Sequence, residues 1–146
     1  MNRSATAVWK GELKSGGGTL TDAHGALKGA SYTFESRFED KPGLTPEDLI
    51  AAAHAACFAM ALSADLGRAG LKPERIEATA QVTLDKVDGK PTITRSHLTC
   101  TARVPGADRA KFMEIAEGTR AGCPVSRLFK AEITLDAKLE DQGAHV

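Results

Sequence analysis

The stretch Thr45-Pro46-Glu47-Asp48-Leu49-Ile50-Ala51-Ala52-Ala53-His54-Ala55-Ala56-Cys57-Phe58 decides how the chain is built. Thr45 is a natural N-cap, and Pro46 fits the first helical position, where a missing N–H costs nothing. Glu47 and Asp48 suit the positive end of a helix dipole, and Thr45 with Asp48 has the spacing of a capping box. The helix should run from about Pro46 to Arg68 and end near Gly70, with Pro73 beyond. Between Leu49 and Ala64 it carries no Asp, Glu, Lys or Arg, so it is apolar nearly all round. Such a helix must be covered on every side. Two sheets of one chain would do that, as would a second subunit in a C2 homodimer.

Upstream, 7–13 alternates loosely and stops at Gly16-Gly17-Gly18, which reads as a strand and a turn. Thr19-Leu20-Thr21 returns toward a second turn at 22–25. Tyr32, Phe34, Ser36 and Phe38 alternate with polar neighbours, which predicts a strand with Arg37 on its polar face near the end. Downstream, Ile76, Ala78, Ala80, Val82 and Leu84 alternate with polar residues up to the hairpin signal Asp88-Gly89. The return strand places Leu98, Cys100, Ala102 and Val104 on one face. A helix follows from about Asp108 to Arg120, then a short one after Gly122-Cys123-Pro124. Ile133, Leu135, Ala137 and Leu139 form a last one-sided strand. The expected order is β-β-β-α-β-β-α-α-β. Hairpins and one-faced strands argue for antiparallel sheet with segregated helices, hence the α+β class.

At 146 residues the chain favours one domain over 1–146, long enough to bury a core. Nineteen basic residues balance nineteen acidic ones, which leaves no electrostatic footprint for nucleic acid or an anionic membrane. No run is expected to span a membrane, because the alanine-rich stretch is broken by His54 and Ser63. The first six residues lack the apolar core of a signal peptide, so a cytoplasmic location is expected. Three cysteines cannot complete a secreted disulfide framework. In a reducing compartment a disulfide is more often transient and catalytic than structural.

Cys57 and Cys123 therefore direct attention to thiol chemistry. A free cysteine with a pKa of about 8.5 is mostly protonated at neutral pH. Cys57 lies about three turns into its helix, where the dipole gives little help. Burial among alanines raises a thiol pKa, the wrong direction for a nucleophile. An active Cys57 needs a cation, and there are two candidates. His54 is three residues earlier on the same helical face. Arg37 is permanently charged and should have an acid partner, with Glu47 the obvious one and Glu39 and Asp48 as rivals. Each residue also has a plainer reading: Cys57 as a small core residue, Cys123 as an N-cap, His54 as a hydrogen-bonded interior histidine, Arg37 with Glu47 as a surface ion pair. Cys100, between Leu98 and Ala102 on an apolar face, reads as core packing. Cys123 at a helix start would be acidified there, which suits disulfide exchange.

The joint pattern resembles the OsmC/Ohr family, the osmotically inducible and organic-hydroperoxide-resistance proteins. The resemblance runs through Arg37-Phe38-Glu39, the helix 45–58, Val82-Thr83-Leu84-Asp85-Lys86-Val87, Ala121-Gly122-Cys123-Pro124-Val125-Ser126 and Lys130-Ala131-Glu132-Ile133-Thr134-Leu135. Ala53-His54-Ala55-Ala56-Cys57 is closer to the OsmC branch than to the Ohr branch, which usually has Gly-Tyr before Ala-Ala-Cys. The resemblance implies an intertwined homodimer, with antiparallel sheets wrapped around long central helices, and a thiol peroxidase acting on organic hydroperoxides in oxidative and osmotic stress. It assigns Cys57 as the peroxidatic and Cys123 as the resolving residue, joined in a transient disulfide. It makes Arg37 and Glu47 the salt-bridged pair that activates the thiolate. The implied reductant is a dithiol, a lipoylated protein or dihydrolipoamide, and no cofactor is implied.

Two rival readings differ in class. His54, Cys57 and Cys123 could act as soft ligands of a metal, although His24 and His97 fall in unrelated segments and no fourth ligand is evident. The chain could also be a non-catalytic small-ligand stress protein with incidental thiols.

Overall fold

The computed structural model describes residues 1–141, and these resolve into two compact units that divide between Asp48 and Leu49. The single-domain reading over 1–146 includes 142–146, which lie outside the described residues.

The first unit is an antiparallel sheet of β1 (Ala5–Lys10), β2 (Gly17–Asp22) and β3 (Lys28–Tyr32), in that order. The expected first turn at 16–18 is displaced: β1 ends at Lys10, Gly11 follows with a φ of 93°, the turn lies at 13–15, and Gly17 and Gly18 open β2. Gly18 pairs with Trp9 on one side and Tyr32 on the other, and those rings meet at 5.6 Å. A Cβ on Gly18 would lie 2.5 Å from the Tyr32 ring, so this position has no room for a side chain.

The strand expected to carry Arg37 is instead a helix, α1 (Phe34–Phe38). Thr33 and Ser36 form a capping box: Ser36 N–H donates to Thr33 Oγ1 at 3.2 Å and Thr33 N–H to Ser36 Oγ at 3.1 Å. Phe34 and Phe38 fit an alternating strand, but four residues is also one helical turn. Their rings stack at 5.1 Å as an i,i+4 pair. The local cap decides between two periods that the apolar residues satisfy equally.

The long helix α2 (Pro46–Arg68) has the expected bounds. Thr45 N–H and Oγ1–H donate to Asp48 Oδ2 at 2.9 and 3.0 Å, and Asp48 N–H donates back to Thr45 Oγ1 at 3.0 Å. Within the second unit α2 buries one stripe at four-residue spacing, His54, Phe58, Leu62 and Leu66. These pack into a core with Leu98, Cys100, Ala102, Val104, Phe112 and Ala116. Thr119 Oγ1–H, on α3 (Arg109–Gly122), adds a 2.6 Å hydrogen bond to Asp65.

The other side of α2 is bare. Ala52, Ala53, Ala56 and Ser63 are exposed, and Met60 is 77% exposed. The second unit by itself thus covers only one side of this helix. By length and composition α2 is also apolar enough to cross a membrane, contrary to expectation. The reason is its alanine content, which keeps mean hydropathy high despite His54 and Ser63.

The second sheet runs β4-β5-β6. β4 (Arg75–Val87) and β5 (Lys90–Arg103) form the expected hairpin, in which Asp88 and Gly89 both adopt positive φ, 53° and 76°. That conformation matches the twist of a two-residue hairpin loop. β6 (Glu132–Leu139) departs from the antiparallel expectation and pairs parallel with β5, Leu98 opposite Leu135. The chain reaches it through α3 and α4 (Pro124–Leu128), the helical crossover that a parallel pair requires. The class is α+β, with one mixed sheet.

Candidate active site

Asp108 caps α3 and Cys123 caps α4, with Pro124 at the first turn of the latter. Cys123 is 1% exposed. Its sulfur accepts the Ser126 N–H at 3.5 Å and lies 3.1 Å from Ser126 Oγ. The N-cap reading of Cys123 is correct, and the capping atom is the thiol itself.

Cys57, half-buried on α2, meets this cap. Its thiol interacts with that of Cys123 and with the backbone N–H of Val125. Burial pushes the Cys57 pKa up, as its alanine surroundings predict, and the Val125 N–H opposes that rise. The charge of an ionised Cys123 and the thiol–thiol interaction raise it further. All three cysteines are free. Cys100 is 1% exposed in the core, with its pKa raised to about 11 by desolvation, so it is an inert packing residue.

Arg37 and Glu47 are brought together. Arg37 Nε and Nη2 donate to Glu47 Oε1 and Oε2 at 3.1 and 3.0 Å, a bidentate fork. The guanidinium also lies 5.2 Å from the Phe38 ring centre. Of the three acids it is Glu47 that takes the fork, while Asp48 is spent on the Thr45 cap. Glu47 is the more buried member, with its side chain 12% exposed against 37% for Arg37. That burial orders the geometry beyond what a loose surface pair would hold.

His54 takes the interior reading. It is fully buried, its Nδ1 lies 2.6 Å from Ser96 Oγ and its Nε2 2.8 Å from Ser126 Oγ, and Phe129 meets its ring edge-on. Burial lowers its pKa below the ordinary 6.5, so the ring is neutral at pH 7 and supplies no cation for Cys57. Sequence reasoning missed Ser96 and Ser126 as its partners. Ser126 stood beside Cys123 in the chain, but a serine carries no signal of which ring it will meet, and Ser96 is 42 residues from His54. Among the described residues no three His, Cys, Asp or Glu side chains are grouped to hold a metal ion.

The neutral His54 has a consequence for acid stability. Its pKa is lower folded than unfolded, so the unfolded chain binds the proton first as pH falls. The His54 contribution is complete above about pH 6.5 and is lost as pH drops through the folded value, with a slope of up to about 1.4 kcal/mol per unit. Denaturant unfolding between pH 7.5 and 5 should show a shallower decline for His54→Gln than for the unaltered chain.

Comparison with known proteins gives the family. The family model described as OsmC-like protein matches residues 38–138. The Escherichia coli protein named Peroxiredoxin OsmC is 48% identical over 140 residues, covering 96% of this chain and 98% of that protein. The Shigella flexneri protein of the same name matches to the same extent. Among solved structures, an OsmC-like protein of Vibrio cholerae aligns with a TM-score of 0.75 at 16% identity, covering 94% of this chain and 99% of that one. The organic hydroperoxide resistance protein OhrB of Bacillus subtilis aligns at 0.63 with 23% identity, covering 94% and 98%. These structural likenesses concern the fold. With two thiols in contact on α2 and α4, and a family match that spans both, the chain belongs to the OsmC family.

Proposed function

We propose that the chain is a cysteine peroxidase that reduces organic hydroperoxides to alcohols. The observation that carries this reading is the pair of free, interacting thiols, one half-buried on a helix and one buried at a helix cap. The name of the relatives at 48% identity, Peroxiredoxin OsmC, agrees with it. In this reading the Cys57 thiolate attacks the outer peroxide oxygen in line with the O–O bond; an S–O bond forms and an alkoxide leaves, to be protonated to the alcohol. Cys57 is then a sulfenic acid, which condenses with the Cys123 thiol to a disulfide and water. A dithiol, for which a lipoyl group is our choice, reopens the disulfide by exchange. A reducing, cytoplasmic setting suits such a cycle.

Arg37 is assigned as the cation that favours the Cys57 thiolate and the charge developing on the peroxide oxygens, with Glu47 fixing its plane. The need for it follows from the direction of the Cys57 shift: one backbone N–H opposes burial. We further assign the bare face of α2, with Ala52, Ala56 and Met60, to a C2 homodimer interface. His54 and the leucine stripe pack α2 into a protein core on its opposite side, which favours a second copy over lipid as the cover.

Turnover with an organic hydroperoxide and a dihydrolipoamide recycling system tests the roles. Cys57→Ser should lower it by at least about a hundredfold; undiminished turnover ends the proposal. Cys123→Ser should complete one round of peroxide reduction and then stop, leaving a trappable sulfenic acid. Arg37→Ala should raise the pH midpoint of Cys57 alkylation by about 1 unit or more; an unchanged profile removes Arg37 from the site. Light scattering should give a native mass near twice the 15.4 kDa chain, and Met60→Glu should shift it toward the single chain.

A further inference from the structure

We propose that Ser126, backed by His54, accepts the proton of Cys123 as that thiol attacks the oxidised Cys57; this rests on the peroxidase reading above. The geometry is a continuous buried chain of hydrogen bonds. Cys123 Sγ lies 3.1 Å from Ser126 Oγ, Ser126 Oγ lies 2.8 Å from His54 Nε2, and His54 Nδ1 lies 2.6 Å from Ser96 Oγ. Cys123, Ser126, His54 and Ser96 are 1%, 4%, 0% and 0% exposed. Three elements supply the links: α4 gives Ser126, α2 gives His54 and β5 gives Ser96.

A buried thiol that must react faces a specific difficulty. Its proton has to leave as the S–S bond forms, and water has little access to a sulfur 1% exposed. The chain of hydroxyl and imidazole groups gives that proton a path. With the His54 Nδ1–H donated to Ser96 Oγ, the Nε2 lone pair accepts the Ser126 O–H, and Ser126 Oγ accepts the Cys123 S–H. The base need not exceed the resting thiol in strength, because the proton becomes strongly acidic once its sulfur bonds to Cys57 Sγ. Burial keeps the imidazole neutral and thus able to accept.

The step balances. The Cys123 Sγ electron pair forms the S–S bond, and the Cys57 S–O bond breaks to release hydroxide. The thiol proton moves to Ser126 Oγ as the Ser126 proton moves to His54 Nε2. When the proton returns through Ser126 to the leaving hydroxide, one disulfide and one water have formed. Cys57 is reduced from sulfenic acid to disulfide, and Cys123 is oxidised from thiol to disulfide. Ser126 touches a reacting sulfur and is catalytic; His54 acts through it and is a positioning residue that also stores the proton.

Rapid mixing with one equivalent of cumene hydroperoxide, quenched for mass spectrometry with a sulfenic acid trap, separates the two steps. Ser126→Ala should leave the rate of Cys57 oxidation unchanged and slow Cys57–Cys123 disulfide formation by about tenfold or more, so that trapped sulfenic acid accumulates. Ser126→Thr, which keeps the hydroxyl, should restore the second step. His54→Gln keeps hydrogen-bonding groups for both serines but has no basic nitrogen, and should slow the second step as Ser126→Ala does. A disulfide step at the unaltered rate in both Ser126→Ala and His54→Gln overturns the relay, as does equal slowing of both steps. Should Ser126→Ala fail to fold by circular dichroism, His54→Gln alone decides between these outcomes. No Cys57 oxidation in the unaltered protein overturns the peroxidase reading and the relay with it, a result distinct from a relay that fails alone.

Discussion

Desolvation of a sulfur in the middle of α2 is the constraint that the rest of the site answers. A helix places its dipole charge at the ends, so Cys57, about three turns in, receives little from it. Its alanine neighbours and the adjoining Cys123 both favour the thiol over the thiolate. The one local counterweight is the Val125 N–H at the start of α4. A single backbone donor does not offset burial, and the direction of the Cys57 shift says so. In the reading proposed here the balance is made up by a guanidinium locked flat by a bidentate carboxylate. The lock matters because an ordered cation loses no rotamer freedom when charge develops in front of it.

What the sequence made legible follows from how local each signal is. The bounds of α2 were readable because Thr45, Pro46 and Asp48 form a self-contained cap, and the 88–89 turn because two positive-φ residues suit Asp and Gly. Cys123 as an N-cap was equally local. The structure of 34–38 was not readable from apolar spacing, because Phe34 and Phe38 fit both a strand and a helical turn. The deciding bonds were those between Thr33 and Ser36. The parallel pairing of β6 depends on a crossover through two helices, and alternation along one strand carries no information about its partner's direction. The Ser96–His54–Ser126 chain joins three distant segments of sequence and was invisible for the same reason.

The composition of α2 meets two demands at once. Its buried stripe is large, with Phe58, Leu62 and Leu66 filling the core. Its bare side is small, alanine at 52, 53 and 56. A helix that ended at water would gain solubility from charge there, and none is present between 49 and 64. Small side chains instead allow close backbone approach over a broad face. In the proposed reading this face meets a second copy of itself across a two-fold axis. A lipid-facing helix gives no reason for the opposite side to hold a histidine between two hydroxyls.

The two contacts that define the site share one geometric origin. His54 and Cys57 are three residues apart on α2, and Cys123 and Ser126 are three residues apart at the start of α4. Side chains at that spacing sit one turn apart on neighbouring lines of a helix. Facing each other, the two pairs meet in matching order, thiol to thiol and imidazole to hydroxyl. The rotation between positions 54 and 57 leaves the ring fully buried and the sulfur half-exposed. In the proposed reading, peroxide reaches Cys57 while the buried polar chain behind Cys123 is kept from solvent. Moving either member of a pair by one residue would break the contact it makes, so the spacing holds both contacts in a single packing of α4 on α2.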